Sequence, residues 1–128
     1  MAKAKELKFR VPDAPGTLGE ITTALAAKKV NLRAINAWVE GTEGVVRLVA
    51  DKPAAAKQVL AKRGLQVEEK EVLELELSDK PGALAAVTTK LGQAGINIGH
   101  VMIGTAPARK CTVFVGVPDI KAAAKAAK

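Results

Sequence analysis

A single cysteine, Cys111, is all this 128-residue chain carries, so no disulfide can close within it and no cluster of thiolates can hold a metal in one copy. One histidine, His100, has no second histidine to share a metal or a proton with, and it reads as a strand residue. Tyrosine is absent, leaving Phe9, Phe114 and Trp38 as the aromatics. The core must then be filled by Val, Leu, Ile and Ala, and a base-stacking surface for RNA has few rings to draw on. No apolar run approaches a membrane span or the centre of a signal peptide, so a cytoplasmic protein without membrane attachment is expected. P-loop, HExxH and GxSxG patterns are missing, and Gly92-Gln93-Ala94-Gly95 follows no strand and reads as a helix end rather than a dinucleotide loop. No enzyme, cofactor or metal site is expected.

The charge is lopsided, at a formal +7. The excess is diffuse: Lys3, Lys5, Lys8 and Arg10 lie along one strand, and Lys121, Lys125 and Lys128 along a final helix, where cations suit the C-terminal end of the dipole. Both read as solvated faces rather than a phosphate track. Nucleic acid is not the expected partner, although a basic surface would concentrate anionic ligands or acidic proteins.

Hydrophobic periodicity gives the elements. Residues 5–11 alternate Leu7, Phe9 and Val11 with Glu6, Lys8 and Arg10, the pattern of a half-buried strand. Asp13-Ala14-Pro15-Gly16 breaks it, and a helix is predicted from about Pro15 to Lys29. Strands follow over 32–39 and 45–50 with a turn at 41–44, then a helix from Pro53 stopped by Gly64, and Leu65-Gln66-Val67 begins a fourth strand. The order is βαββαβ. Residues 71–77 start a new strand with Val72, Leu73, Leu75 and Leu77, and Asp79-Lys80-Pro81-Gly82 breaks it as before. A helix with Leu84, Val87 and Leu91 on one stripe is closed by Gly95, and a strand is predicted over 96–103. A strand from Cys111 and a helix of Ala and Lys after Pro118-Asp119 end the chain.

The second half repeats the first. Asp13 and Asp79 stand 66 residues apart, and so do Pro15/Pro81, Gly16/Gly82, Leu18/Leu84, Thr22/Thr88, Thr23/Thr89, Leu25/Leu91 and Asn31/Asn97. An acidic residue, one residue, Pro-Gly-x-Leu, an amphipathic helix and an asparagine between two aliphatics resemble the signature of ACT domains, small ligand-sensing modules of amino-acid metabolism. The resemblance covers most of the chain. It implies an α+β fold of two ferredoxin-like ACT repeats, residues 1–70 and 71–128, each an antiparallel sheet with its helices on one face. The second is truncated, lacking its last strand, and that edge needs cover from elsewhere.

The residues admit two readings. In a helix that follows a Pro-Gly turn, the first backbone N–H groups lack partners and would accept a carboxylate, while an aspartate beside them would take an ammonium group. The resemblance places a small effector, often an amino acid, between adjacent ACT domains. It implicates Asp13, Pro15, Gly16, Thr17, Leu18, Asn31 and Leu32, with Asp79, Pro81, Gly82, Ala83, Leu84, Asn97 and Ile98. The plainer reading is structural: the prolines and glycines serve the turn, the aspartates cap the helices, Leu18 and Leu84 fill the core, and the asparagines follow a helix end. Cys111 reads as a small core residue and Trp38 as cover for a sheet face or an interface. Three functions remain: a homodimeric sensor binding a free amino acid between its repeats, a regulatory subunit docking on an amino-acid biosynthetic enzyme to convey feedback inhibition, and a basic RNA-binding module.

Overall fold

The computed structural model of the protein describes residues 2–128. The elements run β1 (Ala2–Pro12), α1 (Thr17–Ala27), β2 (Leu32–Glu40), β3 (Glu43–Ala50), α2 (Pro53–Lys62), β4 (Glu68–Ser78), α3 (Ala83–Gln93), β5 (His100–Gly104), β6 (Lys110–Gly116) and α4 (Ile120–Ala126). They divide into two compact units. The first is Lys5–Lys70, and the second is Glu71–Lys128 together with residues 2–4.

In the first unit the strands lie in the order β2-β3-β1, with both pairings antiparallel: Phe9 stands opposite Val46, and Val46 opposite Ala37. Leu7, Phe9 and Val11 of β1 and Val46, Leu48 and Ala50 of β3 point to one face. There they bury Ile21 and Leu25 of α1 and Ala56 and Leu60 of α2, so both helices cover that face. The second unit repeats this arrangement as β4-β6-β5, with Leu73 opposite Val115 and Val115 opposite Val101. Its core joins Leu73, Leu75, Val113 and Val115 to Val87 and Leu91 of α3 and Ala123 of α4. Cys111 and Leu84 pack half-buried against it. This is the α+β architecture of two ferredoxin-like repeats. After β6 the second repeat has only α4, as expected.

Several boundaries differ from the periodicity, each for a local reason. The helices begin at Thr17 and Ala83, two residues after the prolines. Gly16 (φ 86°) and Gly82 (φ 88°) hold the N-cap positions in the left-handed region, so helical dihedrals start only after them. The β2–β3 connection is a two-residue turn at Gly41 and Thr42, with Glu40 already paired to Glu43. Residues 65–67 are not strand: Leu65 and Val67 lean into the first core, and β4 forms only from Glu68, continuous with the strand expected at 71–77. Likewise Ile96 and Ile98 pack on the second core, and β5 begins at His100 rather than Ile96.

The ends of α1 and α3 show what sixty-six residues of offset preserve. Lys29 N bonds Ala26 O at 2.9 Å and Val30 N bonds Leu25 O at 3.1 Å, matching Gly95 N to Gly92 O at 3.0 Å and Ile96 N to Leu91 O at 2.9 Å. Gly95 makes this turn at φ 74° and Lys29 at φ 57°, where a Cβ is strained. Lys29→Gly is therefore expected to stabilise the protein by about 0.5–1 kcal/mol, the left-handed cost of roughly 1–2 kcal/mol less the greater freedom glycine has when unfolded. Urea unfolding of the two proteins measures it.

Candidate functional site

The two turns that break β1 and β4 share a set of backbone bonds. Ala14 N bonds Pro12 O at 3.1 Å and Thr17 N bonds Ala14 O at 3.3 Å; Lys80 N bonds Ser78 O at 3.0 Å and Ala83 N bonds Lys80 O at 3.3 Å. Glu20 N then reaches Gly16 O, and Ala86 N reaches Gly82 O. Inside the helices Thr22 Oγ1 donates to Leu18 O at 3.1 Å, and Thr88 Oγ1 to Leu84 O at 3.1 Å. Among the described residues, the N–H groups of Leu18 and Gly19, and of Leu84 and Ala85, have no such backbone partner. They are the open donors at the positive end of each helix.

The expected aspartate caps do not form. Neither Gly16 nor Gly82, the N-cap residues, has a side chain to offer, and no side-chain cap bond is made at either helix. Asp13 and Asp79 are exposed, their carboxylates held by no hydrogen bond among the described residues. Leu18 is also not core: it is 41% exposed.

In the first unit this turn forms one wall of a pocket of about 190 Å³. Pro12, Asp13, Ala14, Thr17 and Leu18 line one side, and Ala37, Trp38, Val39, Gly44, Val45 and Val46 the other. Val11, Ala37, Val39 and Val46 alternate onto the helix-bearing face with Leu18, so the wall beneath the turn is aliphatic. Asp13, Thr17 and Leu18 are thus brought together. Asn31 and Leu32 are not among them. β1 and β2 run the same way, so Asp13 lies at the β2–β3 turn while Asn31 lies at the opposite end of β2, roughly 20 Å or more along the strand. There the Asn31 backbone is held by Asp51: its N–H donates to the Asp51 side-chain Oδ1 at 2.9 Å, and Asp51 N–H donates to its carbonyl at 2.9 Å. In the second unit Pro81, Gly82 and Ala83 hold the turn, and Asn97 and Ile98 lie in the non-strand stretch before β5, Asn97 exposed and Ile98 half-buried.

Trp38 is a lining residue that the motif did not point to, because it lies twenty residues beyond the turn and joins it only through the sheet register. Its indole Nε1–H donates to Glu40 Oε2 at 2.7 Å, and the Arg47 guanidinium stands 5.1 Å from its ring centroid. Arg10 adds contacts to Glu40 at 3.5 Å and Glu43 at 3.8 Å. The indole bond, with help from the Arg10 charge, holds the Glu40 carboxyl below the ordinary 4.5 of a glutamate. Because the folded value is depressed, this contact supports the fold above the ordinary value and is lost as pH falls through the lowered one. Carboxyl NMR of Glu40 should titrate below 4.5 and move back toward it in Trp38→Phe.

Among the described residues no cluster of His, Cys, Asp and Glu could hold a metal ion. No helix among them is long and apolar enough to cross a membrane.

No curated protein sequence is significantly similar to the chain. Among solved structures, a Bacteroides thetaiotaomicron protein shares 24% identity and a TM-score of 0.87, covering 97% of this chain and 85% of its own. The ligand-free regulatory subunit of aspartate kinase from Thermus thermophilus shares 20% identity and a TM-score of 0.68 over 98% of this chain and 89% of its own. Its counterpart from Thermus flavus shares 19% and 0.60 over 98% and 90%. These likenesses show the fold. The ACT domain model matches residues 5–64 and again 72–128, and the chain belongs to the ACT domain family.

Proposed function

We propose that this protein is a non-catalytic sensor that binds a free amino acid at its Pro-Gly turns and passes the signal to another chain. ACT domains are regulatory modules, which supports the coarser reading on its own. The observation that carries the finer one is the first-unit pocket. It sets the open helix donor at Leu18, an unpartnered Asp13 carboxylate and an aliphatic wall around one small space. The ligand's carboxylate takes that donor, its ammonium group takes Asp13, and an apolar side chain lies against Leu18, Ala37, Val39 and Val46. At about 190 Å³ the space is below the several hundred Å³ of sites for drug-sized molecules, which suits an amino acid. Asp79, Pro81, Gly82, Ala83 and Leu84 form the corresponding turn. Asn31, Leu32, Asn97 and Ile98 are proposed to contribute to sites completed by another ACT surface, since Asn31 cannot reach the Asp13 pocket within its own unit.

A second reading is favoured by the aspartate kinase regulatory subunits that share the fold: this chain is a cytoplasmic, dimeric subunit that docks on an amino-acid biosynthetic enzyme. A thermal-shift screen against the proteinogenic amino acids tests the first reading, with Asp13→Ala, Asp79→Ala and Asn31→Ala/Asn97→Ala alongside. A selective rise lost in Asp13→Ala supports it. A folded protein that responds to none sinks it and leaves the docking subunit, to be sought by co-purification.

A further inference from the structure

A larger opening lies on the other side of β1. Residues 65–67 were expected to start the fourth strand, yet they carry no strand, and between residues 64–67 and β1 the first unit opens into a gap of about 480 Å³. Lys8, Phe9, Arg10 and Glu43 line one side, and residues 64–68 the other. The cause is local: Leu65 and Val67 turn into the core and Leu65 N bonds back to Leu60 O at 3.2 Å, which draws this backbone away from the sheet. The gap closes toward Glu68, where β4 begins and Lys5 Nζ stands 3.8 Å from Glu69.

β1 pairs with β3 along one edge from Glu6 to Pro12. In an antiparallel strand alternate residues turn both N–H and C=O to the other edge, so the stretch 8–10 presents backbone donors and acceptors into this gap. No hydrogen bond joins them to the backbone of residues 64–67 among the described residues. Groups of that kind are costly unless water or a ligand meets them. The rim mixes charges, with Lys8 and Arg10 as cations and Glu43 and Glu68 as anions.

We propose that this gap binds a short free peptide, of two or three residues, which lies extended as an added strand against β1. Its backbone bonds to the open edge of residues 8–10, and its two charged termini meet the mixed rim. The closed end at Glu68 favours a short molecule over a strand that runs through. This site shares no residue with the turn pocket, so either can exist without the other.

Backbone NMR titration of the whole protein with trialanine tests it. Amide shifts are expected at residues 8–10 and 64–68, saturating in the millimolar range. Binding should weaken tenfold or more for trialanine methylated at its backbone nitrogens, for trialanine acetylated and amidated at its ends, and for the Lys8→Ala/Glu68→Gln protein. Three results would overturn the proposal: no shift at these residues, shifts confined to residues 13–18, or equal binding of the methylated peptide.

Discussion

Phe9→Ala is expected to cost the protein about 3–5 kcal/mol, the range for emptying an aromatic site in a closed core. Phe9 is 2% exposed and pairs across β1–β3 with Val46, itself 2% exposed, beneath Ile21, Leu25 and Leu60. The rest of that core is aliphatic, and its residues come from two strands and two helices, so they cannot collapse together into the vacated volume. The loss is a large share of the roughly 5–15 kcal/mol by which domains are ordinarily stable. Phe9→Leu keeps most of the volume and should cost less than about 1.5 kcal/mol. Urea titrations read both. A falling midpoint at constant slope is the expected result, and a loss under about 1 kcal/mol for Phe9→Ala would mean this core is not closed around the ring.

The second large effect is conditional on ligand. An amino acid present at a hundred times its dissociation constant, and bound by the native state alone, adds about 2.7 kcal/mol. For a chain of this length that raises the melting temperature by roughly 10 °C. Asp13→Ala removes the proposed partner of the ligand's ammonium group. Hydrogen bonds to charged groups contribute about 1.5–3 kcal/mol, so affinity should fall tenfold or more and about half of the rise or more should vanish at the same ligand concentration. Without ligand Asp13→Ala should melt as the parent does, because Asp13 is exposed and caps nothing. That contrast separates a binding role from a structural one.

Much of this was legible in the residues. The repeated Pro-Gly turn, with its leucine and threonines at one offset, predicts two folded turns of one geometry, and the dihedrals of Gly16 and Gly82 agree within a few degrees. What could not be read was decided by contacts distant in sequence. Leu65-Gln66-Val67 has the alternation of a strand, but the core claims Leu65 and Val67 and the ladder loses them. Leu18 has the spacing of a core leucine, yet its place at the helix start leaves it beside the turn pocket rather than beneath α1. Asp13 is an able cap by residue type, but a left-handed glycine already occupies the cap position. Asn31 shares a motif with Asp13, and only the direction of β2 reveals that the two stand at opposite ends.

The two compact units differ in how the chain reaches them during synthesis. Lys5–Lys70 is one unbroken stretch, so everything it needs has been made once residue 70 is added. The other unit joins residues 2–4, made before the first unit, to Glu71–Lys128, made after it. Its earliest residues must wait for its final helix. The first ACT repeat is therefore expected to fold before the second has been made, so chains stalled between the two would carry one finished repeat and one unfinished one.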